Sequence, residues 1–413
     1  MNKRIYLCLA HMSGNEQKYI QEAFDTNWVV PLGPNVNGFE DDLKQFVGQD
    51  KQVVALSAGT AAVHLALIAC GVQAGDEVCV QSFTFCASSH PIKYLGATPV
   101  FIDSEKDSWN MDSALLEQAI LDRKAKTGKY PKAIIPVALY GMPYRIHKIL
   151  AIADKYGIPV IEDAAEGFGS RYNGQVLGTF GKYGVLSFNG NKMITTSGGG
   201  ALICPDEAAK QKVMWYATQA REAYPYYQHE AIGYNYRMSN ICAGIGRGQM
   251  TVVDDHIRHH KHIADLYEQA FAKIDGITFH KNPAPKYDSN YWLNTILLDP
   301  ALCIAGQEHA YEVAVQGAVG GAAGVTHQAA TLRTDCQPND NVEALRMYLD
   351  KAGIESRPLW KPMHKQPVYK DAPAYVNGVS EALFKVGMCL PSGPMVSDED
   401  VAYIVENIKK AIR

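Results

Sequence analysis

The sequence predicts an α/β protein: a mainly parallel sheet flanked by helices, followed by a smaller C-terminal α+β domain. Between residues 50 and 205, short β-branched runs alternate with helical patterns, as in parallel strands joined by crossover helices. After about residue 205 the sequence pattern changes, and a long charged helical stretch occupies 252–273. A chain of 413 residues is also longer than one hydrophobic core usually supports. We therefore expect a large domain over residues 1–250 and a small domain over 251–413.

Each strand of the large domain is predicted from a short run of apolar and β-branched residues. These runs are 52–56, 77–80, 99–103, 133–137, 159–163, 183–188 and 201–203. Helical patterns at 61–70 and 144–156 fill two of the intervening stretches. The first ten residues are predicted as a strand or arm, because their apolar part is too short for a secretion signal. In a parallel sheet the ligand lies beyond the carboxyl ends of the strands.

The small domain is predicted to begin with the helical stretch 252–273 and a strand at 277–279. Residues 304–337 do not fit an ordinary small domain, because they include a glycine-rich run at 316–324 that is poor in large side chains. We interpret 304–337 as a flexible or hairpin insertion. Closing the active site is one role open to it.

Composition argues against several classes of partner. The formal net charge of −4 gives no reason to expect nucleic acid or an anionic membrane. No apolar run approaches the roughly 20 residues that span a bilayer. The nine cysteines are scattered singly, which favours reduced thiols in the cytoplasm over a disulfide framework. Without Cys/His ligand spacing, no metal site is predicted.

Two motifs that follow predicted strands could bind a flat, phosphorylated cofactor. Residues 57–60, Ser-Ala-Gly-Thr, end a strand and open a helix, so their N–H groups could cradle a phosphate. A plain helix cap is the alternative. Residues 82–85, Ser-Phe-Thr-Phe, place aromatic rings at the same edge. One ring could stack on a flat ligand, or both could belong to the core.

Two charged residues mark this edge as well. Asp163 ends the fifth strand, and a buried carboxylate there requires a cationic partner such as a protonated pyridine nitrogen. A carboxylate at a helix N-cap is the alternative. Lys192 lies in an Asn- and Gly-rich turn beyond the strand 183–188. An amine held there with a lowered pKa could form an imine with an aldehyde cofactor and act as a general base.

The order of these motifs resembles that of the DegT/DnrJ/EryC/StrS sugar aminotransferases, a branch of the fold-type I pyridoxal-phosphate enzymes. The shared order is Ser-x-Gly-Thr, Thr-Phe, Glu-Asp-Ala-Ala, Ser-Phe-x-x-x-Lys, Gly-Gly-Gly and, at 233–239, Gly-Tyr-Asn-Tyr-Arg-Met-Ser. The resemblance covers nearly the whole chain. It implies a transaminase that uses pyridoxal phosphate as its cofactor and has the fold-type I architecture.

The resemblance also implies a role for each matching residue. Lys192 would be the Schiff-base lysine and would move the proton between cofactor and sugar. Asp163 would bind the pyridine nitrogen, Glu166 would lie near the ring and its 3-hydroxyl, and Phe85 would stack on the ring. The phosphate would be held by Gly59, Thr60 and Ser187.

Other roles implied by the resemblance concern the partner subunit and the substrate. Asn235 and Arg237 would reach the phosphate of the neighbouring subunit's cofactor, so a homodimer with shared active sites is expected. The nucleotide-sugar would be contacted by Trp360, Lys361 and His364.

Two segments narrow the resemblance to the aminotransferases of N-acetylbacillosamine biosynthesis. They are residues 187–200, which contain Asn-Gly-Asn-Lys, and residues 356–364, which contain Trp-Lys-Pro-Met-His. The substrates implied are UDP-2-acetamido-2,6-dideoxy-hexos-4-ulose, aminated at C4, and L-glutamate as donor. A perosamine synthase acting on GDP-4-keto-6-deoxymannose is the alternative substrate assignment.

Other members of this fold suggest two further alternatives. A sugar 3-dehydratase would carry His in place of Lys192, and a non-catalytic regulatory protein would be expected to lack Lys192 or Asp163. The chain also departs from the family pattern. Many members have Gln or His where Glu166 stands, and many have Glu-Gly-Gly where this chain has Ser-Gly-Gly at 197–199.

Overall fold

The protein is described by a computed structural model that covers residues 4–310 and 335–413. The strands, numbered in chain order, are β1 (Gln52–Leu56), β2 (Glu77–Gln81), β3 (Thr98–Ile102), β4 (Ala133–Ile135), β5 (Ile161–Asp163), β6 (Arg171–Tyr172), β7 (Gln175–Val176), β8 (Tyr183–Ser187), β9 (Gly200–Cys204), β10 (Ile277–Phe279), β11 (Tyr287–Asp288), β12 (Asn294–Leu298), β13 (Arg357–Pro358), β14 (Ala374–Tyr375) and β15 (Gly387–Leu390).

The helices are α1 (Glu16–Asp25), α2 (Pro34–Val47), α3 (Gly59–Ala69), α4 (His90–Tyr94), α5 (Ser113–Thr127), α6 (Ile146–Tyr156), α7 (Glu207–Ala217), α8 (Asn240–Met250), α9 (Val253–Phe271), α10 (Asp340–Lys351), α11 (Val379–Val386) and α12 (Asp398–Ala411). Short 3₁₀ turns lie at Cys86–Ser88, Leu139–Gly141, Gln307–His309, Met363–Lys365 and Pro367–Tyr369.

The central sheet has the strand order β14-β3-β2-β4-β5-β8-β9-β1. Two four-stranded halves, β14-β3-β2-β4 and β1-β9-β8-β5, meet through single parallel bridges between Ile134 and Val160 and between Val137 and Asp163. All neighbouring pairs are parallel except β8–β9 and β9–β1. The predicted mainly parallel sheet is therefore confirmed.

The predicted strands match the structure closely, apart from two that are too long. β1 spans the predicted 52–56, and β10 spans the predicted 277–279. β4 ends two residues before residue 137, and β5 begins two residues after residue 159. Both differences arise where the two halves of the sheet meet, because pairing there is reduced to isolated bridges. The edge strand β14, at residues 374–375, was not predicted.

The carboxyl ends of β1, β8 and β5 lie on the same side of the sheet, with the start of β9 between β1 and β8, and together they carry the motifs. Leu56 ends β1 opposite Gly200, and Ser187 ends β8 opposite the same glycine. Asp163 ends β5 and pairs with Val185 of β8. The register thus brings the segments that follow residues 56, 163 and 187 to one place.

Three clusters of buried apolar side chains form the hydrophobic core. One consists of buried residues between 263 and 411 together with Ile5. The central sheet is covered by clusters from the first half of the chain, but Leu293, Leu359 and Leu383 also pack there. The domain boundary near residue 250 stays a prediction. Among residues 4–10, Ile5 forms a β-bridge with Ile354 and the Leu7 carbonyl accepts the Ser392 N–H at 2.8 Å, as expected of an arm that lies along the small domain.

The glycine-rich insertion predicted at 304–337 falls mostly outside the described residues, which omit 311–334.

Within the described ranges, no helix is long and apolar enough to cross a membrane. The same ranges contain no group of three or more His, Cys, Asp or Glu side chains placed to hold a metal ion.

Candidate active site

A cavity of about 300 Å³ opens at the carboxyl edge of the central sheet. It brings together eight of the residues singled out from the sequence, and we call it the Lys192 cavity. These residues are Gly59, Thr60, Phe85, Asp163, Glu166, Ser187, Lys192 and Trp360. They come from stretches as far apart as residues 59 and 360, so the fold assembles them.

Asp163 is buried in the floor of this cavity. The Ser88 hydroxyl donates a hydrogen bond to Asp163 Oδ2 at 2.6 Å, and the Ala165 N–H donates to Oδ1 at 3.2 Å. Burial raises the pKa of the Asp163 carboxyl, while these two hydrogen bonds and the charge of Lys192 lower it. Because both hydrogen-bond donors are neutral, the negative charge of Asp163 is available to a cation bound in the cavity.

Lys192 lies in the connection between β8 and β9, with its N–H donating to the Asn189 carbonyl at 3.0 Å. Its side chain is only 14% exposed, and Nζ is 4.0 Å from Glu166 Oε1. The same Nζ lies 4.0 Å from the centre of the Trp292 ring. Burial lowers the pKa of the Lys192 ammonium, and the carboxylates of Glu166 and Asp163 oppose that shift. The amine is therefore closer to its neutral, nucleophilic form than an exposed lysine.

Glu166 is held in place by a turn that contains a residue in the left-handed backbone conformation. Its Oε2 accepts a hydrogen bond from the Tyr140 N–H at 2.6 Å, and Tyr140 adopts a left-handed backbone conformation with φ of 54°. Burial raises the pKa of the Glu166 carboxyl, and Lys192 and the Tyr140 N–H lower it. A strained non-glycine residue beside a buried carboxylate is typical of a functional site.

The start of α3 forms a cradle at the other side of the cavity. Ala58, at the N-cap, makes no side-chain capping bond, so the first N–H groups of the helix are left for another acceptor. A Cβ at Gly200 would lie 2.4 Å from Gly59 N, and a Cβ at Gly59 would lie 3.0 Å from Ser187 Cβ. Glycine is therefore required where β9 begins, behind the cradle.

Two aromatic side chains line the mouth of the cavity. The rings of Phe85 and Trp360 are 5.4 Å apart, and Phe85 is 49% exposed. The Trp360 N–H donates to the Tyr140 hydroxyl at 2.8 Å. The turn at Tyr140, which holds Glu166, therefore also holds Trp360 at the mouth of the cavity.

Four predicted residues do not line the Lys192 cavity. Lys361 lines two neighbouring depressions that share Trp360 with it. His364 is buried between Ser82 Oγ, 2.6 Å from its Nδ1, and Glu381 Oε1, 3.2 Å from its Nε2. The remaining two, Asn235 and Arg237, line a separate surface depression.

Arg237 differs from Asn235 within that depression. Its guanidinium donates to Glu40 Oε1 at 2.6 Å and to the Ala55 carbonyl at 2.9 Å. Arg237 is buried and Asn235 is exposed. Of the two residues expected to serve a neighbouring subunit, the structure thus leaves Asn235 accessible and uses Arg237 inside its own chain.

Sequence reasoning missed the residues that hold the charged groups in place. Ser88 contacts Asp163, Tyr140 contacts Glu166, and Trp292 contacts Lys192. Ser88 lies three residues after the aromatic motif at 82–85, and that short spacing was the available signal. Tyr140 and Trp292 carry no local pattern, because only tertiary contacts reveal their roles.

Comparison with known proteins identifies the family. A model of the DegT/DnrJ/EryC1/StrS aminotransferase family matches residues 10–320 and 307–409. EpsN of Bacillus subtilis (strain 168) is 44% identical over 98% of this chain and 95% of that protein. GDP-perosamine synthase of Escherichia coli O157:H7 is 34% identical over 97% of this chain and 96% of that protein.

Two further similarities bear on substrate and fold. UDP-2-acetamido-2-deoxy-3-oxo-D-glucuronate aminotransferase of Pseudomonas aeruginosa is 35% identical over 59% of this chain and 65% of that protein. The crystal structure of a DegT DnrJ EryC1 StrS aminotransferase from Brucella abortus superposes with a TM-score of 0.81 at 27% identity, covering 96% of this chain and 95% of that one. The chain belongs to the DegT/DnrJ/EryC1/StrS aminotransferase family and is a pyridoxal-phosphate-dependent sugar aminotransferase of fold-type I.

Proposed function

We propose that this enzyme transfers the amino group of L-glutamate to C4 of UDP-2-acetamido-2,6-dideoxy-hexos-4-ulose, as in a bacillosamine-type pathway. The observation that supports the chemistry is the position of Lys192, largely buried and 4.0 Å from Glu166 in a cavity that also contains Asp163. The nucleotide and sugar rest on the segments 187–200 and 356–364, which resemble those of the bacillosamine aminotransferases.

The residues of the Lys192 cavity fit pyridoxal phosphate. The buried Asp163 carboxylate matches a protonated ring nitrogen, and the uncapped start of α3 with Thr60 and Ser187 matches a phosphate. The exposed face of Phe85 is placed to stack on a flat ring. Pyridoxal phosphate supplies the electron-withdrawing ring and the aldehyde carbon that carries the amino group from donor to acceptor.

The chain's own residues then have separate tasks. Lys192 holds and moves a proton at Nζ, for which its buried, partly neutralised amine is suited. Asp163 would stabilise positive charge on the ring nitrogen, and its hydrogen bonds from Ser88 and Ala165 favour the ionised carboxylate against the opposing effect of burial on its pKa. Phe85 and Trp360 limit the entry of water at the cavity mouth.

A second substrate assignment has support of its own. GDP-perosamine synthase matches this chain over nearly its full length, whereas the UDP-sugar relative matches a shorter part. GDP-4-keto-6-deoxymannose is therefore the alternative acceptor. The regulatory alternative and the 3-dehydratase alternative both lose support, because Lys192 and Asp163 are present in one cavity of an aminotransferase.

We also propose that the active enzyme is a homodimer in which Asn235 serves the partner's cofactor. Asn235 is exposed and lies outside its own Lys192 cavity. The cytoplasm remains the expected compartment on the cysteine pattern of the sequence.

The proposal is tested by assaying the purified protein with L-glutamate and a panel of UDP-, GDP- and dTDP-linked 4-keto-6-deoxy sugars. We expect a 4-amino product, detected by mass spectrometry and NMR, from the UDP sugar. Lys192→Ala should lower turnover by about 10³-fold or more, and Lys182→Ala, an exposed lysine outside the cavity, should not. Conversion of only the GDP sugar would replace the substrate assignment, and full activity of Lys192→Ala would refute the role of the lysine.

A further inference from the structure

A short segment from the C-terminal half of the chain, residues 290–292, reaches the Lys192 cavity and ties its charged groups together. Asn290 donates from Nδ2 to the Glu166 and Phe168 carbonyls, both at 2.9 Å. Asn290 Oδ1 accepts the N–H of Trp292 at 2.8 Å. Between them, Tyr291 has a positive φ of 50°. The segment is therefore strained, and it is anchored to the backbone of residues 166–168, which follow β5 and include Glu166.

Trp292 joins this segment to the Lys192 loop in two ways. Its indole Nε1–H donates to the Asn191 carbonyl, the residue before the lysine, at 2.6 Å. Its ring faces Lys192 Nζ, 4.0 Å from the centroid. A cation within about 6 Å of a tryptophan face is attracted by the ring's quadrupole, most strongly when water is excluded. Trp292 is 2% exposed and the Lys192 side chain 14% exposed, so bulk solvent screens this contact little.

These contacts exceed what packing alone requires. A buried tryptophan needs one acceptor for its N–H, and many carbonyls could supply it. In this fold the acceptor belongs to the loop that carries Lys192, and the ring face is occupied by the lysine itself. The indole thus fixes both ends of the lysine, its backbone and its amine.

We propose that Trp292 is a positioning residue that holds the free Lys192 ammonium over its ring, and that Asn290 anchors it to the Glu166 loop. The proposal rests on the proposed role of Lys192. When the lysine is not bonded to the cofactor, its amine needs a resting place from which it can return. The Trp292 face is such a place, opposite Glu166 at 4.0 Å.

The sign of the effect follows from the groups that face the amine. Glu166 and Asp163, from the segment at the end of β5, favour the ammonium, and burial disfavours it. Cys8 of the N-terminal arm is the other titratable group near the amine, but burial raises the pKa of its thiol to about 12, so the thiol is uncharged. The ring of Trp292 also favours the ammonium. Removing the ring should therefore lower the pKa of Lys192 further, and the neutral amine should appear at a lower pH.

The test measures how fast the apoenzyme captures added pyridoxal phosphate covalently, as a function of pH. Capture is followed by absorbance and, after borohydride reduction, by the mass of the modified peptide. Only neutral Lys192 reacts, so the midpoint of the rate profile reports its pKa. The titration of pyridoxal phosphate itself is the same for every variant and cancels in the comparison.

Trp292→Met keeps an adaptable apolar side chain but removes the ring, and we expect the midpoint to move down by about one pH unit. Trp292→Phe keeps a weaker ring and loses the N–H, so its midpoint should move in the same direction by less than half as much. The matched control is Trp109→Met, because Trp109 is buried but stacks on His280 outside the cavity, and its midpoint should equal that of wild type.

An unchanged or raised midpoint in Trp292→Met would overturn the proposal. If that variant does not fold, the Trp292→Phe profile decides, and a midpoint equal to wild type refutes the proposal. Lys192→Ala separates the two levels of inference. If Lys192→Ala still captures the cofactor covalently at the wild-type rate, the role of Lys192 fails. If Lys192→Ala loses capture but the Trp292 variants show no shift in midpoint, only the role of the indole fails.

Discussion

The Lys192 cavity and the depression around Asn235 differ in how complete they are within one chain. In the cavity, Asp163 and Glu166 are buried, and each accepts hydrogen bonds from its own chain. The depression has a volume of about 500 Å³ and is bordered by apolar side chains that face solvent. Among these, Tyr227 is 78% exposed and Leu32 is 52% exposed. We call this region the Asn235 depression.

The difference indicates which region can act alone. Contiguous exposed apolar surface is typical of a contact with another protein, whereas a buried, hydrogen-bonded carboxylate is already preorganised for its ligand. We infer that the chemistry resides in the Lys192 cavity and that the Asn235 depression becomes functional only against a second chain. Changes in the cavity should therefore have large effects that no partner corrects, and changes at Asn235 should have smaller effects that a partner can correct.

Among the variants that compare the two regions, the largest effect is expected for Asp163→Asn. This change keeps the shape of the cavity but removes the negative charge of the Asp163 carboxylate. Loss of one member of a buried charge pair costs about 3–5 kcal/mol, so kcat/KM should fall by about 2 × 10²- to 5 × 10³-fold. The apoenzyme should keep its thermal midpoint, because an amide costs less to bury than a carboxylate. Steady-state kinetics and thermal unfolding of apoenzyme measure both.

Glu162, the neighbouring carboxylate, provides the control. It is buried and accepts hydrogen bonds from the N–H groups of Gly178, Phe180 and Gly181 at 2.6–3.0 Å. Glu162→Gln should therefore lower the thermal midpoint of the apoenzyme and leave kcat/KM of the folded fraction near wild type. If Asp163→Asn behaves like Glu162→Gln, the assignment of Asp163 to the cofactor is wrong.

A smaller effect is expected for Gly200→Ala, behind the phosphate cradle. The new Cβ would meet Gly59 N at 2.4 Å and the Ala58 carbonyl carbon at 2.5 Å, and backbone atoms cannot step aside as a flexible side chain can. Overpacking of this kind costs about 1–3 kcal/mol, which should weaken cofactor binding about tenfold or more, as measured by fluorescence titration. Gly190→Ala, in the same connection but with nothing within 4 Å, should bind normally. Equal affinities in the two variants would show that the cradle tolerates displacement.

The sequence was sufficient to predict the parts of the cavity that are local. Asp163, Ser187 and Gly59 end or follow strands, and alternation of short apolar runs with helical patterns placed those strands. The register of neighbouring strands then brought their carboxyl ends together, which is a general property of parallel sheets. These steps needed no contact between distant residues.

The remaining parts could not be predicted because they depend on long-range contacts. Trp292 reaches Lys192 from 100 positions further along the chain. Tyr140 holds Glu166 from a left-handed backbone conformation that is adopted by the tyrosine itself, and the adjacent Gly141 does not reveal that contact. The substrate contact of His364 stays a prediction. Its ring lies between Ser82 and Glu381 and does not line the Lys192 cavity.

The smallest effect is expected for Asn235→Ala, which tests the other side of the comparison. Loss of one hydrogen bond to a charged phosphate costs about 1.5 kcal/mol, so the variant should release cofactor about tenfold more readily. The effect should appear in the half-time of cofactor loss during gel filtration. Asn407→Ala removes a partly exposed amide on α12 that donates to the Tyr403 carbonyl of its own helix, and should retain cofactor like wild type.

Mixing subunits determines whose site Asn235 serves. A dimer of one Lys192→Ala chain and one Asn235→Ala chain contains an intact Lys192 only in the Asn235→Ala chain. If Asn235 acts across the interface, that lysine faces the intact Asn235 of its partner, and the mixed dimer should hold one cofactor per dimer as tightly as wild type. If Asn235 acts within its own chain, the mixed dimer should lose that cofactor tenfold faster, like the Asn235→Ala homodimer. Because both chains are present in either case, only the direction of the contact decides the result.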